Sequence, residues 1–385
     1  MTGPDRADGD RSGSPKASSS SLASAAGRAR ADASTAGTLL LTKAQVRDLI
    51  RMPEVIAAVE EAYRAYSGGA VSQPPYMGLH LSTPAAEIDF KAGYHRAAEL
   101  VSLKASSGGF RENPDRFGLP NGMGTVMLFD GRSGALLCVM DGSLLTGFRT
   151  GAAGAVAVRA LARPGARRLA MIGTGTQARM QLRAIREVME IDGIRAWGRS
   201  ASGAQAFAEE MAAELGLPVA LAESPEQAVA EADVVVTTTR ASAIVLRAGW
   251  LRPGALVVAI GTDQAGKQEL DPGIFREARV VVDSAAQCRE KGELQHALAA
   301  GLLGGSADGR QDGSPEDPFG APGSRIVEIG AVLLGRAAGR ESDDQIVVFD
   351  STGMAMQDNT TAAAILRLAQ DRGVGTRFDF LAPSA

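Results

Sequence analysis

The sequence has few of the residues on which several common chemistries depend. Its 385 residues include two cysteines, Cys138 and Cys288, and three histidines that stand far apart. We therefore expect neither a disulfide scaffold nor a zinc site built from histidine or cysteine, and no metal is predicted. Sparse cysteine also favours a reducing compartment, which predicts a cytoplasmic protein.

Long apolar runs, common hydrolase and nucleotide motifs and a strong net charge are lacking as well. No run of about 18 apolar residues occurs, and neither a GxSxG nor a Walker lysine motif is present. The 40 basic and 44 acidic residues leave a formal net charge of −4. Such a chain offers no strong field to nucleic acid or to an anionic membrane, so neither is expected as a partner.

The composition changes along the chain in a way that predicts its domains. Residues 1–36 are almost wholly Ser, Ala, Gly, Asp, Arg and Pro, which is typical of a disordered tail. Residues 37–150 are strand-rich, with a hairpin turn at Asp130–Gly134. Between 151 and 344 strands alternate with helices, which predicts a doubly wound parallel Rossmann sheet. Residues 345–385 are expected to return to the first domain, giving an α/β protein whose mixed α+β domain is built from both chain ends.

Further local patterns predict individual elements within these domains. A small-residue helix is predicted over Ala152–Ala162, ended by a Pro-Gly pair. Beyond a surface loop at 304–324, we predict a helix at Ile326–Leu334, an apolar strand at Gln345–Asp350 and a closing helix at Thr361–Leu368.

The most informative motif is a glycine-rich turn. The apolar strand Arg168–Ile172 runs into a G-x-G-x-x-A sequence that opens a helix. Gly173 permits the tight turn, Gly175 lets the backbone approach a pyrophosphate, and the helix N-terminus attracts phosphate. Dinucleotide binding is therefore predicted, with an ordinary strand-to-helix turn as the alternative; the residues assigned to it are Gly173, Gly175, Thr176 and Gln177.

The end of the next strand bears on which dinucleotide binds. A carboxylate there would grip the ribose 2′-hydroxyl of NAD. The strand instead ends in Trp197-Gly198-Arg199-Ser200, and Arg199 and Ser200 suit a 2′-phosphate. The cofactor is thus predicted to be NADP or NAD, with NADPH favoured; a solvent-exposed Arg199 without this role is the alternative.

Several motifs together make the chain resemble the ornithine cyclodeaminase/mu-crystallin family. They are Leu145–Ala153, the Gly173 turn, Gly261–Leu270, Gly292-Glu293 and Phe349–Gly353. The resemblance implies that Lys104 and Arg149 bind the substrate carboxylate, with Lys104 near the reacting carbon, and that Asp263 is the catalytic acid/base. It also implies a homodimer formed through the first domain, and it places further residues at the cofactor (Asn121, Thr238, Ile260, Lys267, Ser351) or the substrate (Thr352).

One departure from the family bears on the substrate. The stretch Pro74-Pro75-Tyr76-Met77-Gly78 lacks the arginine that usually follows a proline there and binds the carboxylate. Lys91 is the residue that can compensate. The substrate side chain is left open by this difference.

The predicted function is NAD(P)H-dependent reduction of a small α-imino acid, reversible as an amino acid dehydrogenase. Phe90–Tyr94 and Leu103–Phe110 resemble the branch that contains iminosuccinate reductase and the cyclodeaminase-like proteins of ectoine breakdown, which favours a substrate similar to iminosuccinate. Two alternatives stay open. One is a cyclodeaminase that converts a diamino acid to a cyclic imino acid plus ammonia with catalytic NAD; the other is a crystallin-like ligand binder without activity.

Overall fold

Two large sheets organise the chain, in a computed structural model that describes residues 37–81, 86–303 and 324–380. The predicted tail at 1–36, most of the 304–324 loop and residues 381–385 lie outside the described residues. In the first part of the chain the elements are β1 (Thr38–Leu41), α1 (Lys43–Leu49), α2 (Met52–Ser67), β2 (Val71–Ser72), β3 (Met77–His80), β4 (Glu87–His95), β5 (Leu100–Gly108), α3 (Asn113–Phe117), β6 (Met123–Asp130), β7 (Leu136–Asp141) and α4 (Gly142–Leu161).

The remaining elements belong mostly to the second sheet. They are β8 (Arg168–Ile172), α5 (Thr176–Ile185), β9 (Gly193–Trp197), α6 (Ala201–Leu215), β10 (Val219–Leu221), α7 (Pro225–Val229), β11 (Val234–Thr237), β12 (Ser242–Leu246), β13 (Leu256–Ala259), β14 (Gln268–Leu270), β15 (Arg279–Val282), α8 (Ala285–Lys291), α9 (Leu294–Ala299), β16 (Ile326–Glu328), α10 (Ile329–Leu333), β17 (Val347–Asp350), α11 (Ala355–Arg372) and β18 (Thr376–Phe378), with short 3-10 turns at Ala248–Trp250 and Pro272–Arg276.

The first sheet is mixed, with the order β18-β1-β7-β6-β5-β4-β2 and β3 paired to β4. Only the β1–β7 pair is parallel. The predicted hairpin at Asp130 is confirmed, since β6 and β7 are antiparallel and the Asp130 amide donates to the Ala135 carbonyl at 2.9 Å. On β4 and β5, Lys91 lies directly opposite Lys104. Paired residues project to the same face of a sheet, so the two lysines are neighbours.

Helix α11 lies against β4, β5 and β6 and also packs on α2. Its C-terminal half buries apolar side chains such as Ile365 and Leu366, whereas its first turns bury polar ones. The closing helix predicted at Thr361–Leu368 is therefore too short, because the helix already begins at Ala355. The extra turns carry Asp358 onto the first sheet.

The second sheet is entirely parallel, with the order β10-β9-β8-β11-β13-β17-β15-β16. The predicted Rossmann architecture is confirmed. From β8 the chain adds β9 and β10 on one side and β11 on the other, so the strand order reverses between β8 and β11. In sheets of this kind ligands bind at such a reversal, outside the carboxyl ends of the strands.

Two predictions for the last part of the chain are corrected by the structure. The segment at 326–334 is helical only over Ile329–Leu333 and starts as strand β16, since Ile326–Glu328 pairs with β15. The strand near 345–350 does not return to the first sheet, because β17 lies between β13 and β15. We propose that the second domain ends after Asp350 and that the return begins with α11.

Helix α4 connects the two sheets and is longer than the predicted Ala152–Ala162. It begins at Gly142, where the Asp141 carboxylate accepts a hydrogen bond from the Leu144 amide at 2.9 Å and caps the helix. A Cβ atom at Gly151 would lie 2.5 Å from the Met180 carbonyl oxygen of α5. Only glycine allows the two helices to approach so closely. As a result Arg149 stands in the middle of a buried helix.

The described part of the chain contains no helix long and apolar enough to cross a membrane.

Candidate functional site

The glycine turn forms one wall of the site, at the carboxyl end of β8. Gly173 has a φ of +106°, a backbone conformation that strongly favours glycine. Its amide donates to the Trp197 carbonyl at 2.8 Å, which ties the turn to β9. Helix α5 then starts at Thr176, with Gly175 as an N-cap that has no side-chain hydrogen bond. The first amides of α5 are therefore available to an anion.

Buried polar atoms near this turn support a dinucleotide site. Gln177 Oε1 and Thr238 Oγ1 are buried and have no hydrogen-bond partner in the described chain. Thr238 packs directly on Gly173, and the space around Gly175 is open. Buried polar groups in proteins are nearly always paired, so these atoms are suited to receive a bound polar group. The predicted residues Gly173, Gly175, Thr176, Gln177 and Thr238 thus fit a nicotinamide dinucleotide.

Gly173 and Gly175 allow the turn to be tested with matched substitutions. In Gly173→Ala the Cβ would lie 2.8 Å from Thr238 Oγ1, so we expect a lower melting temperature and loss of dinucleotide binding. Gly175 has a φ of −84° and no atom within 4 Å of a Cβ. Gly175→Ala should fold normally and bind NAD(P)H about tenfold more weakly, because the methyl group occupies space needed by the pyrophosphate. Thermal melts and fluorescence titrations measure both effects. Equal destabilisation by the two substitutions would contradict this assignment.

Arg199 and Ser200 follow β9, next to the glycine turn. Arg199 is exposed and makes no hydrogen bond or ion pair with the described residues. The Ser200 hydroxyl accepts from the Gly203 amide at 3.2 Å and caps α6. No carboxylate ends β9. The structure therefore leaves the Arg199 guanidinium available to a 2′-phosphate, while the Ser200 hydroxyl has a structural partner.

The remaining predicted cofactor residues are spread along neighbouring strand ends. Ile260 is buried and its amide donates to the Thr237 carbonyl at 3.0 Å. Asn121 lies in the loop before β6, where its Oδ1 is buried without a hydrogen-bond partner among the residues described. No hydrogen bond in the described chain joins Asn121 to the glycine turn.

Lys104, Arg149 and Asp358 form a buried ionic cluster, which is the second wall of the site. Lys104 Nζ lies 2.7 Å from one Asp358 carboxylate oxygen, and Arg149 Nε lies 3.1 Å from the other. The three residues are between 1% and 6% exposed. Arg149 Nη1 also donates to Gln357 Oε1 at 3.2 Å, whereas Nη2 has no hydrogen-bond partner among the described residues. The cluster thus keeps free donors and an excess of positive charge.

The pKa values in this cluster reflect burial and crowding of charges. Burial lowers the pKa of Lys104 to about 8, against the favourable effect of the Asp358 charge. Burial, followed by the charges of Lys104, Arg149 and Lys291, lowers the pKa of Lys91 to about 7. Burial alone would raise the pKa of Asp358, but Lys104 and Arg149 outweigh it and the pKa lies below its usual value. Because the cations repel one another, an added anion would stabilise their charged forms.

The turn at 351–353 joins this cluster to the parallel sheet. Asp283, at the end of β15, accepts hydrogen bonds from the Ser351 hydroxyl at 2.8 Å and from the Gly353 amide at 2.7 Å. Thr352 Oγ1 lies 3.4 Å from the same carboxylate. A Cβ at Gly353 would lie 2.5 Å from Arg149 Nη1, so the turn rests on the guanidinium. Ser351 and Thr352 are therefore positioned at the carboxyl edge of β17, with their hydroxyls directed to Asp283.

Asp263 lies beyond β13, on the loop beside this turn. Its side chain is 53% exposed and forms an ion pair with Lys267 at 2.6 Å. The next residue, Gln264, donates to Glu87 of β4 at 2.6 Å, which holds the loop over the first sheet. Asp263 makes no direct contact with Lys104 or Arg149 among the contacts described. Its charge also acts on Tyr76, where burial, Asp89 and Glu87 do more to raise the pKa.

Glu269 fixes the strand ends beneath this loop. The buried carboxylate accepts hydrogen bonds from the Thr237 hydroxyl at 2.7 Å and the Gly261 amide at 3.0 Å, and from the Thr239 amide. Burial raises the pKa of Glu269 to about 7. Its contacts keep the ends of β11 and β13 together, so Thr238 and Asp263 keep their positions relative to each other.

Two site residues were not predicted from the sequence. Asp358 is distant in sequence from Lys104 and Arg149 and reaches them only because α11 packs on the first sheet. A polar run at 357–361 ahead of an apolar helix was the one available hint. Lys291, 9% exposed, was likewise unexpected; its Nζ lies 4.0 Å from the ring centre of Tyr76.

Other features of the molecule do not compete with this site. Within the described ranges, no group of three or more His, Cys, Asp or Glu side chains is placed to hold a metal ion. A cavity of about 240 Å³ lies at the opposite edge of the parallel sheet, where Arg168 and Gly193 begin their strands. Ligands of such sheets bind at the carboxyl edge, so this cavity carries no argument for function.

The similarity to known proteins extends over nearly the whole described chain. Residues 37–372 match the model of the ornithine cyclodeaminase/mu-crystallin family. The alanine dehydrogenase of Archaeoglobus fulgidus is 36% identical over 345 residues, covering 89% of this chain and 98% of the relative.

Two solved structures are similar throughout. The iminosuccinate reductase of Paracoccus denitrificans, in complex with NAD+, superposes with a TM-score of 0.78 and 33% identity, covering 88% of this chain and 98% of that one. The Thermococcus litoralis Delta(1)-pyrroline-2-carboxylate reductase, in complex with NADH and L-proline, has a TM-score of 0.79 and 30% identity, covering 89% and 100%.

Proposed function

The chain belongs to the ornithine cyclodeaminase/mu-crystallin family, and from this premise we propose that it is an NAD(P)H-dependent reductase of small α-imino acids. The observation that carries the proposal is the buried cluster of cations, which the turn at 351–353 joins to the carboxyl edge of the parallel sheet. Lys104 and Arg149 share one carboxylate, Asp358, and Lys91 lies directly opposite Lys104 on the sheet. Relatives named as reductases of imino acids support the same reaction.

The cations suit the carboxylate of an α-imino acid. The planar guanidinium of Arg149 has donors left to hold two carboxylate oxygens, and Lys104 adds a point charge. Anchoring the carboxylate fixes the α-carbon next to it, which addresses the orientation requirement of the reaction. When bound, the nicotinamide supplies a hydride to that carbon. The residues assigned to hold the dinucleotide are Gly173, Gly175, Thr176, Gln177, Thr238 and Ile260, together with Asn121, Lys267 and Ser351.

We propose that Asp263 transfers the proton that accompanies the hydride. Reduction of C=N to CH–NH needs one hydride at carbon and one proton at nitrogen. Asp263 is half exposed and ion-paired with Lys267, so its carboxylate is open to solvent. It acts as the acid in reduction and as the base in the reverse, dehydrogenase direction. Lys104 is a second proton carrier, because its pKa of about 8 lies near physiological pH.

The proposed function is tested by supplying the purified protein with NADPH or NADH, a 2-oxo acid and ammonia or methylamine. Glyoxylate, pyruvate and oxaloacetate form imines of increasing size, and the imine of oxaloacetate carries a second carboxylate. Steady cofactor oxidation that requires both the oxo acid and the amine supports a reductase. Proline and ammonia formed from ornithine with trace NAD would instead establish the cyclodeaminase, and binding without turnover the crystallin-like alternative.

We also propose that NADPH is accepted and favoured. The similar solved structures contain NAD+ or NADH. In this chain Arg199 follows β9, and no carboxylate stands at the end of that strand. Arg199→Ala should raise the KM for NADPH about tenfold more than the KM for NADH, because one charge-assisted contact to the 2′-phosphate is lost. Initial rates at varied cofactor measure the ratio. An unchanged ratio would remove Arg199 from the cofactor site.

Binding of the substrate carboxylate should weaken at alkaline pH. Lysine is a cation below its pKa, so Lys104 loses its charge as the pH rises through about 8. We expect the inhibition constant of an unreactive carboxylate to rise over that range, since a neutral amine attracts an anion less. In Lys104→Arg the rise should move to higher pH because arginine stays charged. A pH-independent constant in the unmodified protein would contradict the role of Lys104.

A homodimer formed through the first domain is proposed as well. One similar solved structure is an archaeal alanine dehydrogenase dimer with bound NAD. In this chain the edge strand β3 exposes Met77 and Leu79, and nearby segments expose Phe117, Leu119 and Met123. Apolar side chains in such numbers are typical of a surface that another subunit covers. Light scattering should give a mass twice that of one chain. Leu79→Glu should shift the measured mass toward that of a single chain.

A further inference from the structure

Two more cations lie beside the proposed carboxylate site. Lys91, half-buried on β4, donates from Nζ to the Gly353 carbonyl at 2.9 Å. Lys291, the last residue of α8, is 9% exposed, and its Nζ stands 4.0 Å from the ring centre of Tyr76. Neither lysine forms an ion pair with any carboxylate of the described chain. Lysines largely shielded from solvent without a carboxylate partner are uncommon, because burial disfavours the charge.

The two lysines face the same space. Gln287, one helical turn before Lys291, donates to Thr352 Oγ1 at 3.3 Å and lies 3.4 Å from the Gly353 carbonyl that Lys91 also contacts. The charge of Lys291 contributes to the depressed pKa of Lys91, which places the two amines within electrostatic reach. The Tyr76 ring lies against the Lys291 ammonium, and the Tyr76 hydroxyl donates a hydrogen bond to Asp89. Asp89 precedes Lys91 by two residues on the same face of β4.

No carboxylate of the described chain forms an ion pair with Lys91 or Lys291, although Asp89, Glu87 and Asp263 lie close enough to act on Tyr76. Lys104 and Arg149 share Asp358, so one substrate carboxylate is enough to complement that pair. Asp89 has Tyr76 as its hydrogen-bond partner and forms no ion pair with Lys91 or Lys291. A monocarboxylate would thus leave both lysines without an anion. A second anionic group would satisfy both amines and favour their charged forms.

On the premise of the proposed reductase function, we propose that Lys91 and Lys291 bind a second carboxylate on the side chain of the substrate, so that the enzyme selects imino dicarboxylates over imino monocarboxylates. Lys91 reaches this group from the first sheet and Lys291 from the parallel-sheet domain. Tyr76 holds the Lys291 ammonium against its ring.

The test compares substrates and ligands that differ by one carboxylate. Reduction is measured with oxaloacetate plus ammonia and with pyruvate plus ammonia. Binding to the protein–NAD(P)+ complex is measured by calorimetry with succinate and with butyrate, which have equal carbon counts. We expect a preference for the dicarboxylate of about 100-fold in both assays, as two charge-assisted contacts provide.

The variants Lys91→Gln and Lys291→Gln should each reduce that preference about tenfold or more. Lys291→Arg should keep most of it, which separates loss of charge from loss of packing. Lys43→Gln removes an exposed lysine at the start of α1 and serves as the matched control with an unchanged preference.

The outcomes separate this inference from the function on which it rests. Reduction of both imines without preference, and no effect of the lysine variants on the ratio, overturns the second carboxylate site and leaves the reductase intact. Selective succinate binding without any imine reduction overturns the reductase and leaves the anion site. If neither imine is reduced and succinate does not bind selectively, both the reductase function and the second carboxylate site are overturned.

Discussion

Arg149→Met should lower kcat/KM for imine reduction by at least about 1,000-fold, a loss of about 4 kcal/mol of transition-state stabilisation. The guanidinium is the one group that contacts Asp358, Gln357 and the turn at Gly353 together. Removing it takes away both the fork that holds the substrate carboxylate and the support of that turn. Arg149→Lys should recover part of the activity, because the charge returns without the planar donors. Steady-state kinetics with the preferred imine give the comparison.

The same helix offers a control for this substitution. Arg159 is also on α4, but its side chain is 43% exposed and pairs with Glu60 at the surface. Exposed ion pairs contribute about 0–1 kcal/mol, so Arg159→Met should leave kcat/KM within about twofold. If Arg149→Met retained activity within tenfold while Arg159→Met did the same, Arg149 would not be the carboxylate anchor.

Asp358→Asn should lower the free energy of unfolding by about 3–5 kcal/mol, the range typical of breaking a buried ion pair on one side. Asp358 is 1% exposed and is the shared counter-ion of Lys104 and Arg149. Its loss leaves two buried cations facing each other beside Lys91. Activity should fall as well, because the lysine and the arginine then repel and lose their fixed orientation. Denaturant unfolding followed by circular dichroism measures the change in stability.

Asp371→Asn provides the matched control near the other end of α11. Asp371 is 45% exposed and pairs with Arg367 at 3.6 Å. We expect a change of less than about 0.5 kcal/mol there. Added acetate should partly restabilise Asp358→Asn if the uncompensated cations are the cause. A variant as stable as the parent protein would show that Asp358 does not hold the cluster together.

Features encoded by local sequence were predictable. The turn at Gly173 needs a positive φ angle and open space around the backbone. Few residue types meet these requirements, so the glycine motif identified the turn. The parallel sheet followed from apolar strands alternating with helices, and the end of the strand near 256–260 located Asp263 at the carboxyl edge of that sheet. Such rules act over a few residues or over one strand-helix unit.

Features that depend on distant packing were not predictable. Asp358 completes the cluster only because α11 crosses β4 and β5, and its sequence position in a polar stretch gave no sign of burial. Lys291 ends α8, a helix that was not predicted, and its contact with Tyr76 joins residues far apart in the sequence. The position of β17 in the parallel sheet was misjudged for the same reason, since an apolar strand does not specify which sheet it joins.

Imine reduction by this protein is tested most directly by following the hydride itself. NADPH or NADH carrying deuterium at the nicotinamide C4 is supplied with the oxo acid and ammonia, and the product amino acid is examined by mass spectrometry. We expect one deuterium at the product α-carbon for each cofactor oxidised. An unlabelled product, or a cyclic imino acid formed from a diamino acid while the cofactor pool stays unchanged, would contradict the proposed reduction.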